Sequence, residues 1–158
     1  MSRPTTPPFV PLPVQHGPSA PAQGQDSHFT AIGGEQVVGR LVERFYHHME
    51  SVPAAALIRA MHPADLSEVE AVLTRYLCEW MGGPTNYSSE RGHPRLRMRH
   101  LPFSIRAEER DAWMQCMRLA LVDVVPDRAL RESLERAFAR VADALRNQAA
   151  TPDPRSKA

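Results

Sequence analysis

The chain has 158 residues, 42% of them hydrophobic, and a formal charge of +1. That length suffices for one domain with a real core and is short for two. The balanced charge offers no basic surplus for nucleic acid, and no apolar run approaches the ~18 residues of a membrane helix or resembles a secretory signal. Neither nucleic acid nor membrane is therefore expected as a partner, and the expected address is the cytoplasm.

Residues 1–27 are expected to be a disordered, proline-rich arm. Seven of the fifteen prolines fall before Gln25, among Ser, Gln and Gly, and such a stretch cannot bury enough apolar surface to offset its ordering entropy. The folded unit is expected over 28–148, followed by a flexible tail, 149–158, that carries Thr151, Pro152, Asp153 and Pro154. After Gly33 and Gly34, the residues Val37, Val38, Leu41, Val42, Phe45, Tyr46 and Met49 recur at the 3,4 spacing of an amphipathic helix that ends near Ser51 and Pro53. A short apolar piece, Ala54 to Met61, precedes Pro63. Ser67 with Glu70 then has the pattern of a capping box. Behind it Val69, Val72, Leu73, Tyr76, Leu77 and Trp80 keep a helical stripe until Gly82, Gly83 and Pro84 stop it.

From Ala107 the pairs Ala112/Trp113, Cys116/Met117 and Ala120/Leu121 repeat every fourth residue up to Pro126. Asp127 offers an N-cap to a last helix whose stripe is Leu130, Leu134, Phe138, Val141 and Leu145. Cys78 and Cys116 stand alone on apolar faces, as reduced core thiols do, rather than as a disulfide or a zinc site. No series of strands and turns and no internal repeat is visible, so the fold is expected to be all-α with crossed helices.

Thr85 to Arg106 is irregular. There Arg95, Arg97 and Arg99 alternate with Leu96, Met98 and His100, which by period alone would be a strand. A lone strand among helices has no partner for its backbone groups, so a short helical turn is the expectation.

The run Gly92-His93-Pro94-Arg95-Leu96-Arg97-Met98-Arg99-His100-Leu101-Pro102-Phe103 resembles the segment around the proximal histidine of the group II truncated haemoglobins. The likeness extends to Arg44-Phe45-Tyr46, to Met61-His62-Pro63-Ala64-Asp65-Leu66, to Trp80-Met81-Gly82-Gly83-Pro84, and to Glu109-Arg110-Asp111-Ala112-Trp113 with Cys116-Met117. Together these segments cover nearly all of residues 30–147, in the family's order. The resemblance implies a truncated globin fold, a two-over-two helical sandwich around haem b, with His100 as the iron's protein ligand.

By the same resemblance Tyr46, His62, Val69, Leu73 and Trp113 surround the bound gas, and Tyr76, Phe103 and Met117 also stand at the haem. Arg99 is the position nearest a propionate, ahead of Arg95 and Arg97. Val69 stands where ordinary globins carry a distal His or Gln and cannot donate, so hydrogen bonding to a partly negative ligand falls on Tyr46, Trp113 and His62. Val72 departs from the basic residue expected there, which leaves one propionate without its partner.

Taken singly, a His or an aromatic on an apolar face is ordinarily core. A Tyr, a His, a Leu and a Trp on four separate elements that match one pocket in one order favour haem. His93 is expected to bridge the loop before Pro94, and His16, His28, His47 and His48 to lie on the arm or the solvent face. The function implied is binding of oxygen and other diatomic gases at ferrous iron by a monomer or homodimer. The alternative is a haem enzyme that consumes nitric oxide or peroxide, supported by an external reductase.

Overall fold

A computed structural model describes residues 27–148. Apart from Ser27, the expected arm lies outside the described residues, as do the expected tail and His16. The elements are α1 (His28–Ile32), α2 (Glu35–Ser51), a 3-10 turn (Pro53–Ala55), α3 (Ala56–Ala60), α4 (Ser67–Trp80), α5 (Asn86–Arg91), α6 (Leu96–His100), α7 (Ala107–Val124) and α8 (Arg128–Ala144). Among the described residues there is no strand. Helix α2 packs on α4, and α7 on α8, with the broadest contact between α2 and α7. This is the two-over-two sandwich.

The long helices follow from their stripes. On α2 the buried residues are Val38, Leu41, Val42, Phe45, Tyr46 and Met49, and on α7 they include Ala112, Met114, Cys116, Met117, Ala120 and Leu121. Facing them, Leu134, Ala137 and Phe138 of α8 are buried. Each large apolar side chain so covered contributes roughly 1.5–3 kcal/mol. Asp127 caps α8 as expected, its carboxylate accepting from the Leu130 amide at 3.0 Å. Both cysteines are free and buried, and burial pushes the Cys78 thiol up to about 11 and that of Cys116 upward as well. They are protonated core residues.

Three local expectations need correction, and one short helix was not expected. Ser67 is not the N-cap of α4 but its first residue. Asp65 accepts both its amide at 3.0 Å and its hydroxyl at 2.6 Å, which draws Ser67 into the first turn and leaves Glu70 without the reciprocal role. Helix α1, which has too few residues to show a period, is set by its ends: the Ser27 side chain accepts from the Thr30 amide, and Gly33, at φ 112°, closes the helix in the left-handed region. His28 is no arm residue; its Nε2 meets Ser133 Oγ at 2.9 Å, joining α1 to α8. His48 is likewise only 15% exposed at its side chain, with Nε2 2.6 Å from Asp123 Oδ2. Arg44 donates to the same oxygen at 2.9 Å. The two hydrogen bonds hold Asp123 below the usual carboxylate range and tie α2 to α7.

The irregular region is two short helices rather than one loop. Helix α5 buries only Tyr87, whose ring meets Tyr76 edge-on with centroids 5.6 Å apart. Helix α6 is the expected helical turn and buries no side chain at all.

Candidate functional site

A cavity of about 390 Å³ opens between α3, α4, α6, α7 and α8, within the roughly 300–1,000 Å³ of small-molecule and cofactor sites. Its α4 wall is Val69, Leu73, Tyr76, Leu77 and Trp80; α8 contributes Phe138, Val141 and Ala142, and Leu145 follows just beyond its end. Trp80 stacks on Phe138 with centroids 4.9 Å apart, making a flat apolar floor. Burial, reinforced by the neighbouring Tyr87 and Glu79, pushes the Tyr76 hydroxyl well above its ordinary value, so it remains neutral.

Two histidines face this apolar space. His100, the last residue of α6, places Nδ1 2.6 Å from the Leu96 carbonyl oxygen. A carbonyl only accepts, so Nδ1 carries the proton and Nε2 is left with a bare lone pair. That is the nitrogen a metal needs. His62 repeats the arrangement, with Nδ1 2.7 Å from the Ile58 carbonyl oxygen. Its neutral ring therefore accepts at Nε2 and cannot donate there.

Of the residues expected around the ligand, His62, Val69, Leu73, Tyr76, His100, Phe103 and Trp113 line the cavity together. Tyr46, Met117 and Arg99 are not among the lining residues. Tyr46 is 5% exposed on α2 and meets the His62 ring edge-on at 5.6 Å, one layer behind the wall. Its hydroxyl finds no hydrogen-bond partner among the described residues, and burial, with Glu70 adding to it, pushes it up to about 12. It is a protonated donor with nothing to donate to. The Trp113 indole N–H also lacks a partner there, while its ring packs on Phe45 and Phe138. Met117, on α7, is fully buried in the core.

Arg99, like Arg95 and Arg97, is exposed and makes no ion pair among the described residues. Arg110, at the cavity edge, is instead committed to Asp143 at 2.6 Å and Asp111 at 2.9 Å. Val72 is half-buried on α4 and supplies no charge. His93 does bridge its loop, its Nδ1 accepting from the Arg95 amide at 3.1 Å.

Several residues at the site went unassigned. Trp80, Phe138, Val141 and Leu145 showed as core stripes, and nothing in a stripe separates a cavity wall from a packed interior. Glu109 lines the cavity and is 5% exposed. Burial opposes its charge, yet hydrogen bonds from Arg106, led by the amide at 2.7 Å, hold its carboxyl below the ordinary value. Asn147 left no signal at all, because its partners are backbone atoms 42 to 47 residues away.

An apolar slot with a bare imidazole nitrogen on each of His100 and His62, two unpartnered donors and unpaired cations beside the helix of His100 fits a flat, apolar macrocycle that carries iron and two carboxylates. Fold and site together define a globin. The bacterial-like globin family model matches residues 27–147, and the chain belongs to that family as a group II truncated haemoglobin. It is 39% identical over 112 residues to the group 2 truncated hemoglobin YjbI of Bacillus subtilis (strain 168), covering 71% of this chain and 82% of that protein. Among solved structures, the cold-adapted truncated hemoglobin from the Antarctic marine bacterium Pseudoalteromonas haloplanktis TAC125 superposes with a TM-score of 0.75 at 36% identity, over 78% of this chain and 99% of that one. The group II 2-on-2 hemoglobin of Agrobacterium tumefaciens gives 0.74 at 42% identity, over 77% and 95%. Membership implies a haem-binding globin.

Proposed function

We propose that this chain holds haem b through His100 Nε2 and binds oxygen, with other diatomic gases, at the ferrous iron. The observation that carries the reading is the tautomer of His100, fixed by the Leu96 carbonyl at 2.6 Å so that Nε2 is free to ligate. When bound, haem supplies an iron with one protein ligand and one position open to a gas. The chain does the rest. Val69, Leu73 and the Trp80–Phe138 pair exclude water from the macrocycle's faces, and exposed Arg99 provides a cation for a propionate.

On the ligand side Trp113 and Tyr46 are the donors, Trp113 from the wall and Tyr46 from the layer behind His62. His62, its Nδ1 held by the Ile58 carbonyl oxygen, offers Nε2 as an acceptor and shapes the pocket more than it holds a ligand. The residues expected to form the globin, 28–148, include no flavin or nicotinamide unit, so recycling of oxidised iron is assigned to a separate reductase, with the cytoplasm as the place of work.

The test is a spectroscopic titration of hemin into the apoprotein. Wild type should saturate at one equivalent with a sharp Soret band. His100→Ala should lose tight haem and regain it with added imidazole, whereas His93→Ala should behave as wild type. A His100→Ala variant with wild-type haem content and spectrum would refute the assignment.

A further inference from the structure

The segment that carries the iron ligand is poorly anchored by burial. Helix α6 buries no side chain, and Leu101, Pro102, Phe103 and Ser104 after it are all exposed. Upstream, Arg95 sits in the left-handed region at φ 46°, a conformation a non-glycine residue adopts only when neighbouring contacts impose it. Something other than the hydrophobic core must fix where His100 stands.

Asn147, three residues past the end of α8, does so. Its Nδ2 donates to the His100 carbonyl oxygen at 3.2 Å and to that of Phe103 at 2.8 Å. Its Oδ1 accepts from the Ile105 amide at 3.0 Å. The Ile105 carbonyl in turn accepts from the Asn147 amide at 3.0 Å and the Gln148 amide at 3.2 Å. One carboxamide thus uses both donor hydrogens and its acceptor on a single stretch of main chain. The orientation is unique, since turning the amide over would set Oδ1 against two carbonyl oxygens.

We propose that Asn147 is the positioning residue for His100, fixing the backbone from which the imidazole reaches the iron and thereby setting how firmly haem is held. The inference rests on the haem reading above and adds to it a link between the end of α8 and the iron's ligand. Because His100 is gripped at its own carbonyl, a shift of Asn147 displaces the ring with no intervening side chain.

Asn147→Asp is the discriminating variant. It keeps size and the acceptor for Ile105 but replaces both donated bonds with an oxygen facing two carbonyls. Asn147→Ala removes all three side-chain bonds, and Asn86→Ala, an exposed amide on α5, serves as control. The iron–histidine stretching band of the ferrous protein, haem transfer to excess apomyoglobin, and hydrogen exchange at the Ile105 amide of the apoprotein are measured. Loss of two or three hydrogen bonds predicts haem loss about tenfold faster or more, with a shifted or broadened iron–histidine band in both Asn147 variants. It also predicts faster exchange at Ile105 in Asn147→Ala. The control should match wild type throughout.

A wild-type band and haem-loss rate in both variants, even with a lowered melting temperature, would make Asn147 merely structural and overturn the proposal. Failure of the parent reading looks different. There the wild-type Soret band would survive His100→Ala, and positioning of an iron ligand by Asn147 would fall with it.

Discussion

Replacing Tyr46 with Phe should move stability and ligand retention in opposite directions. Its residue is only 5% exposed, and the hydroxyl, which has no hydrogen-bond partner among the described residues, keeps only residual access to solvent. A polar atom held in a largely apolar site with residual access to water incurs part of the roughly 1–3 kcal/mol that complete burial without a partner costs. Removing it while keeping the ring against Phe45, 5.0 Å away, should stabilise the apoprotein by about 1 kcal/mol, a rise of roughly 4 °C in melting temperature for a domain of this size. Under the proposed function the same hydroxyl, kept protonated by a pKa pushed up to about 12, should donate to a ligand bearing partial charge.

A hydrogen bond of that kind is worth roughly 1.5–3 kcal/mol, so oxygen release should quicken by about ten- to a hundredfold. Carbon monoxide, less polar, should respond far less. Stopped-flow displacement of oxygen and calorimetry of the apoprotein read the two effects separately. Trp113→Phe, which removes the donor on the cavity wall, should also accelerate release, and the double variant should be non-additive if both donors reach one ligand, as proposed. The reasoning fails if Tyr46→Phe loses apoprotein stability while leaving oxygen release unchanged, for the hydroxyl would then have a structural partner and no ligand role.

Two further outcomes follow from the chain's beginning. Deleting residues 1–26 should leave haem affinity and melting temperature nearly unchanged, whereas deleting Ser27 as well removes the cap that accepts from the Thr30 amide and should cost about 1 kcal/mol by chemical denaturation. Equal losses from both deletions would show that the arm itself docks. Burial, with Arg140 adding to it, holds His28 below its ordinary 6.5, so as pH falls below 6.5 the unfolded chain takes up this proton before the folded one. Stability should therefore be fully present above that pH and decline beneath it, levelling only once the folded group also titrates. In His28→Gln that part of the slope should vanish, which denaturant midpoints measured across the window would reveal.

The sequence disclosed those features that repeat along a helix. Val38 to Met49 and Leu134 to Phe138 announced their faces because one face of each meets the core continuously. Asp127 announced a cap because the side chain and the amide it serves are three residues apart. Helix α1 was invisible because one turn and a half carries no period, and its anchors, Met81 O for the Phe29 amide and Ser133 for His28, lie on distant elements.

The same divide runs through the site. His100, His62, Val69 and Trp113 were legible as parts of a matching series, but a cavity wall and a packed core use the same Leu, Phe and Trp at the same spacing. Asn147 was out of reach for a stricter reason, since its side chain pairs only with main-chain atoms and those carry no residue identity. The capping box at Ser67 and Glu70 failed because Asp65, two residues earlier, competes for the same amide at shorter range.

A Cβ built on Gly83 would fall 2.7 Å from a ring carbon of Phe29 and 2.8 Å from the Cys78 carbonyl oxygen. Backbone cannot retreat as a ring can, so any side chain at 83 must first move the end of α4. Positions 29 and 83 are thus sterically coupled. An aromatic ring can lie over the turn only in a lineage that keeps glycine beneath it. A chain with alanine at 83 would have to change the ring at 29 and still widen the approach to the Cys78 carbonyl oxygen. Drift at one position is thus closed until the other has moved, and the short first helix inherits its fixed seat from a missing methyl group.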